Sequence, residues 1–173
     1  MIAILLNDAS FEQDIRELLM AFYPGETFTH KEEEAGEAEL IVRGVRDGNS
    51  FSLDVTPVKK EAVHFALIYP DFSNRFETKN EIKQTLYRLL SAQTGRELPW
   101  GTLTGIRPTK IALTKLYDGW TDEQIETYMR ETYFTSKEKI DLSIDVAERE
   151  RRLLSTICLL YTSPSPRDRT RSR

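Results

Sequence analysis

Cysteine is almost missing from this 173-residue chain, which has one, Cys158. A single thiol excludes an internal disulfide and any multi-thiolate zinc or iron-sulfur site supplied by this chain alone. Histidine is nearly as scarce, with His30 and His64 as its two copies, and no His or Cys pair stands at metal-ligand spacing. Long apolar runs are lacking too. Nothing approaches the roughly eighteen residues needed to cross a bilayer, and Met1 to Leu6 has no basic region, long apolar core or cleavage site, so the expected location is the cytoplasm, with no membrane partner. A Walker-type phosphate loop, a dinucleotide fingerprint and a Gly-x-Ser-x-Gly elbow are all absent. No catalytic constellation is visible.

Positive charge is sparse except at one end. The formal net charge is -4, and setting aside the four Arg and one Asp of residues 158–173 leaves the body at -7. Counterion release needs clustered Lys and Arg, so an acidic body argues against a nucleic-acid partner. A helix-turn-helix reading from Thr121 onward fails for the same reason: the helix that would enter the groove carries Glu138, Asp141, Asp145, Glu148 and Glu150. Asp141 and Asp145, one helical turn apart, read as a solvated face beside Lys137 and Lys139.

What remains is ample for a folded core, with 39% apolar and 30% charged residues. Ile2 to Leu6 suit a buried strand. Ser10 and Gln13 have capping-box spacing ahead of a helix whose Phe11, Ile15, Leu18, Leu19 and Phe22 share one face, ending at Pro24-Gly25. Lys31 to Glu39 carries five Glu and reads as a solvated loop. From Leu40 the period becomes two. Arg46-Asp47-Gly48-Asn49 supplies hairpin turn chemistry, and Phe51, Leu53 and Val55 share a face of the return strand. A third strand follows, in which Val63, Phe65, Leu67 and Tyr69 alternate with Ala62, His64, Ala66 and Ile68; His64 reads as a half-buried side chain rather than a base or ligand. Thr78 with Glu81 predicts a further capped helix, bearing Ile82, Leu86, Leu89 and Leu90 and closing at Gly95.

The expected fold class is therefore α+β, a small antiparallel sheet packed by helices over residues 1–97. A shaped loop and three helices follow over residues 98–157, and residues 158–173 are expected to be a non-native disordered tail. Pro108 suits the first turn of one helix, with Ile111, Ala112 and Leu116 inward and Gly119 near its end. Thr121 with Gln124 and Thr135 with Glu138 repeat the capping-box spacing, the first before Ile125, Tyr128 and Met129, the second before Ile140, Ile144, Ala147 and Leu154. The tail's Leu-Leu-Tyr run is expected to stop the last helix, and the wording after it resembles translated sequencing-adapter sequence, which implies an amino-terminal fragment.

Between the halves lies the least generic stretch, Leu98-Pro-Trp-Gly-Thr-Leu-Thr-Gly-Ile-Arg-Pro-Thr-Lys110. Two Gly, two Pro and a Trp in thirteen residues make a loop of defined shape, and Trp100, Gly101, Thr104, Gly105 and Pro108 are read as the residues that shape the junction. Arg107 and Lys110 straddle a helix start and together suit a carboxylate or phosphate. The competing reading pairs Arg107 with an acidic residue and buries Trp100 between the halves.

This loop, the Tyr133-Phe134-Thr135-Ser136-Lys137-Glu138-Lys139 segment and the Ala147-Glu148-Arg149-Glu150 run together resemble the amino-terminal region of HemZ-type coproporphyrinogen dehydrogenases, which are radical SAM proteins. The resemblance covers residues 1 to about 155 and is strongest from Leu98 to Arg151. It implies an intact parent that continues into a radical SAM barrel, the missing partner of this segment. In that barrel a Cys-x-x-x-Cys-x-x-Cys motif holds a [4Fe-4S] cluster, S-adenosylmethionine is cleaved reductively, and propionates of a tetrapyrrole substrate become vinyl groups in haem biosynthesis. The present chain has no such motif, so no catalytic residue and no metal or cofactor ligand carries over to it, and the fragment alone is expected to be inactive. The alternative expectation is a free-standing, non-catalytic protein-interaction module.

Overall fold

The computed structural model describes residues 1–58, 63–105 and 107–161, with side chains described through residue 154. Ala62, Ile106, the Cys158 thiol and residues 162–173, all mentioned above, lie outside the described residues. Two compact units are formed. The first comprises Met1–Ile106 and Met129–Ser136, the second Arg107–Tyr128 and Lys137–Arg173.

The first unit is α+β, as its periodicities require. Its strands β1 (Ile2–Leu6), β2 (Phe28–Thr29), β3 (Leu40–Asp47), β4 (Ser50–Pro57) and β5 (His64–Ile68) lie in the order β2-β1-β3-β4-β5. Two helices belong with them, α1 (Glu12–Phe22) and α2 (Arg75–Thr94). The sheet is mixed rather than wholly antiparallel. Only β3-β4 and β4-β5 are antiparallel; β1 runs parallel to β2 on one side and β3 on the other. A parallel neighbour needs a crossover, and α1 provides the one between β1 and β2.

That arrangement explains why the first strand is apolar without alternation. Ile2 and Ile4 join Ile15, Leu18, Leu19, Leu53, Ile82 and Leu86 in the main core, while Ala3, with Met1 and Leu5, faces the opposite way onto Ala35, Ala38 and Ile41. Ala35 lies in a 3-10 turn, Glu32–Glu37, with Ala38 immediately after it. The acidic segment is therefore not a simple solvated loop. Its glutamates outnumber its alanines, yet the two alanines are small enough to let the turn close on β1.

The hairpin forms as its turn chemistry predicts, with Gly48 at φ 55° and Phe51, Leu53 and Val55 fully buried. Elsewhere the chain starts its helices with different residues than the box spacing suggests. Asp8 accepts from the Ser10 amide at 3.0 Å to cap a short 3-10 turn ahead of α1, and Gln13 instead donates to Glu17 at 2.8 Å. Asn74 caps α2 by accepting from the Glu77 amide, so Thr78 sits inside the helix and donates to the Asp71 and Asn74 carbonyls. Gly95 ends α2 in the left-handed conformation expected of it, φ 68°.

In the second unit α3 (Pro108–Tyr117) packs on α5 (Lys137–Tyr161), and α4 (Asp122–Tyr133) begins here before entering the first unit. Pro108 occupies the first helical turn, and Thr121 and Gln124 form a reciprocal capping box, amide to side chain in both directions. Ala112, Leu116, Ile125, Ile140, Ile144 and Ala147 are buried as their spacing predicts. Leu154 is not: it is 41% exposed. The α5 backbone also continues through the Leu-Leu-Tyr run to Tyr161, because those residues are compatible with a helix and the first proline comes only at Pro164. Among the described residues no helix is long and apolar enough to cross a membrane.

Candidate functional site

The Leu98–Gly105 part of the central loop belongs to the first unit, where it is fastened from both sides. Tyr87 on α2 accepts from the Leu98 amide at 3.0 Å. The end of α4 and its following turn supply the rest: Tyr133 carbonyl accepts from the Thr102 amide at 2.7 Å, the Ser136 amide donates to Pro99 at 3.0 Å, and the Thr135 hydroxyl donates to Trp100 at 3.4 Å. Trp100 itself is half-buried.

Gly101 is where the sequence has no freedom. Its φ is 58°, and a Cβ there would stand 1.9 Å from the Tyr133 carbonyl oxygen and 2.6 Å from Phe134 backbone atoms. The two backbones approach so closely that no side chain fits between them. Phe134, at φ 57°, is the non-glycine residue in the left-handed region among those described, and it is held there by ring contact with Tyr87 at 5.5 Å and by the Arg88 guanidinium 5.1 Å over its face. A concavity lined by Tyr87, Arg88, Glu97, Arg130 and Phe134 opens beside this contact.

Thr104 carries the loop's chemistry inward. Its hydroxyl accepts from Lys83 Nζ at 2.8 Å and donates to Glu17 Oε2 at 3.2 Å, linking α2 to α1 through the loop. Lys83 is 7% exposed. Burial lowers its pKa, while the charges of Asp14 and Glu17 act the other way and Lys79 adds to the lowering. Lys79 pairs with Asp14 at 2.6 Å, completing a two-helix set of two acids and two lysines. Gly105, at φ 67°, lies over the Glu17 carboxylate, 2.8 Å from where its Cβ would be. Asp14 with Glu17 and Lys79 with Lys83 have one-turn spacing in the sequence, but nothing in either helix alone says that the two pairs meet.

Arg107, Pro108 and Lys110 fall in the second unit. Arg107 turns to Glu150 on α5 with an Nη2 to Oε1 distance of 3.3 Å, and both groups remain partly exposed. Lys110 is exposed and makes no ion pair among the described residues, its amide donating to the Arg107 carbonyl at 3.0 Å. Lys115 is more enclosed: its ammonium lies 4.0 Å from the Trp120 ring centre and 4.7 Å from that of Tyr128. The described residues contain no group of three His, Cys, Asp or Glu able to hold a metal ion. With one cysteine in 173 residues the donor set also does not fit a cubane cluster, whose irons require several thiolates.

A comparison with known proteins meets this geometry from outside. Part of the chain is similar to HemZ. Over 98 residues, 55% of this chain, it is 35% identical to the oxygen-independent coproporphyrinogen-III oxidase-like protein HemZ of Bacillus subtilis (strain 168). That bears out the resemblance to HemZ-type proteins. The matched stretch spans only 19% of HemZ, so the likeness is that of a part. No protein-family profile matches the chain, and no solved structure matches it.

Proposed function

We propose that this chain is the amino-terminal accessory segment of an oxygen-independent coproporphyrinogen dehydrogenase of porphyrin and haem biosynthesis. The observation that carries the reading is the 35% identity to HemZ over 98 residues. The intact protein is a cytoplasmic radical SAM enzyme that uses a [4Fe-4S] cluster and S-adenosylmethionine, both held outside this chain, to convert substrate propionates to vinyl groups with loss of carbon dioxide. Its tetrapyrrole substrate and its own barrel are the partners of the present segment; nucleic acid and membrane are not.

Within that reading the first unit is a scaffold. Gly101, Thr104 and Gly105 fix the loop, and the chemistry belongs to the barrel. Arg107 and Lys110 are the contact for a substrate carboxylate. Arg107 is already paired with Glu150, but an exposed ion pair contributes about 0–1 kcal/mol, so an incoming propionate displaces it at small cost.

Anaerobic turnover of coproporphyrinogen III by the full-length parent, compared with its Arg107→Ala/Lys110→Ala variant, tests the assignment. Loss of one charge-assisted contact predicts a fall in kcat/KM of at least about tenfold, corresponding to about 1.4 kcal/mol. Unchanged turnover by a correctly folded, cluster-loaded variant removes the two residues from the site. Failure of the unaltered parent to consume coproporphyrinogen removes the functional reading itself.

A further inference from the structure

One edge of the sheet is built unlike a protected edge. β5 is terminal in the strand order, and among the described residues no strand lies on its outer side. From Val63 to Tyr69 the sequence reads Val-His-Phe-Ala-Leu-Ile-Tyr, with no Lys, Arg, Asp, Glu or Pro. Those are the residues that ordinarily discourage edge pairing. Its large side chains also face outward. Val63 is 56% exposed, Phe65 61%, Leu67 48% and Tyr69 71%. The register explains why: Phe65 stands beside Asp54 and Leu67 beside Ser52, on the face away from α1 and α2. The smaller set, His64, Ala66 and Ile68, takes the helix-facing side and is half-buried.

We propose that β5 pairs with β5 of a second copy of this chain, antiparallel about Ala66, joining two five-stranded sheets into one of ten. The sequence of the strand is compatible with pairing to itself. In this register His64 stands opposite the partner copy's Ile68, Phe65 opposite Leu67, and Ala66 opposite Ala66. Each residue therefore meets one of the same parity, so the outward-pointing N–H and C=O groups of both copies fall in line and the side chains of both copies fall on the same faces. Phe65 and Leu67 then cover each other twice across the two-fold axis, as an apolar cross-strand pair. No charged side chain from this strand is brought against a like charge.

The opposite edge does not offer an equivalent. β2 is two residues long, so head-to-tail growth from β5 onto β2 would gain almost no ladder, whereas the two-fold arrangement closes on itself. The four exposed side chains present roughly 400 Å² of surface per copy, taking about 150–250 Å² for a fully covered aromatic. Doubling that falls short of the roughly 1,200–2,000 Å² of a stable complex, so the dimer is a reversible one, with a Kd of about micromolar or weaker. The inference is independent of the porphyrin reading.

Sedimentation velocity of the whole 173-residue chain over a wide concentration series tests it. The expected result is a monomer-dimer equilibrium. In Phe65→Lys/Leu67→Lys the introduced lysines face one another across the axis, and association falls at least tenfold. In Phe65→Lys/Leu67→Glu the new lysine faces the partner copy's new glutamate, and association returns. Both substituted positions are solvent-facing, and circular dichroism verifies that each variant is folded. A wild-type chain that stays monomeric throughout overturns the proposal, as does a dimer that survives the double lysine substitution. Failure of the Lys/Glu variant to associate while folded rejects the register.

Discussion

Gly101 concentrates the fold's strictest local demand. Gly101→Ala combines positive φ with a Cβ 1.9 Å from a backbone oxygen, and that oxygen belongs to a helix end that cannot yield cheaply. The expected loss is about 3 kcal/mol or more in urea unfolding. Gly95→Ala is the matched control, because its φ is 68° but nothing lies within 4 Å of the added carbon; its loss is expected near 1 kcal/mol. Equal losses would mean that the close approach at Gly101 is absent. Lys83 makes a prediction of a different kind. Burial holds its folded-state pKa below the ordinary 10.5, so between the folded value and 10.5 the unfolded chain binds more protons and stability rises with pH. Lys83→Met should remove that alkaline rise but lower stability at neutral pH, by about 1–3 kcal/mol, since it takes the donor from the Thr104 hydroxyl and leaves the buried side of Glu17 and Asp14 without this cation. Urea unfolding as a function of pH measures both; a variant with the wild-type slope contradicts the assignment. At this scale the sequence was only half legible. Two glycines in an odd loop announce unusual backbone, but Lys83 looks like any helical lysine until Thr104 and Glu17 are seen around it.

The elements tell a similar story about caps. Four Ser/Thr-x-x-Glu/Gln spacings stand ahead of expected helices, and Thr121 with Gln124 closes as a reciprocal box. At α2 the helix instead starts earlier, because Asn74 offers its side-chain oxygen to the Glu77 amide and the Thr78 hydroxyl is spent on carbonyls behind it. Asn74→Ala and Thr121→Ala are each expected to cost about 1 kcal/mol, while Glu81→Ala, which removes the acidic member of a box that does not form, should stay within about 0.5 kcal/mol. Thermal unfolding separates these outcomes, and a large effect at Glu81 would restore the box reading. Local spacing identifies competent capping residues, but which one is used depends on where the helix must begin to seat Ile82 and Leu86 in the core. The β3-β4 hairpin was readable in full because turn chemistry and a period of two agree at the same place. β2 was not, being two residues whose pairing with β1 no local pattern encodes. The same holds for the parallel direction of β1, which follows from the α1 crossover rather than from the strand's own residues.

As a whole the molecule is acidic, poor in cysteine and equipped with shape rather than with reactive groups. Its most informative stretch proved to be structural: the loop from Leu98 to Gly105 is clamped to Tyr87, Tyr133 and Glu17, and the acids and lysines of α1 and α2 that meet it at Thr104 are engaged with the loop or with one another. A scaffold of this sort accords with a segment whose likeness to HemZ spans only 19% of that protein. The central claim, that the segment belongs to a radical SAM porphyrinogen enzyme, is tested most directly by genomic DNA read downstream of the Arg151 codon. An open frame continuing into a Cys-x-x-x-Cys-x-x-Cys cluster within a few tens of codons is the predicted result. A native stop codon near that point would contradict it.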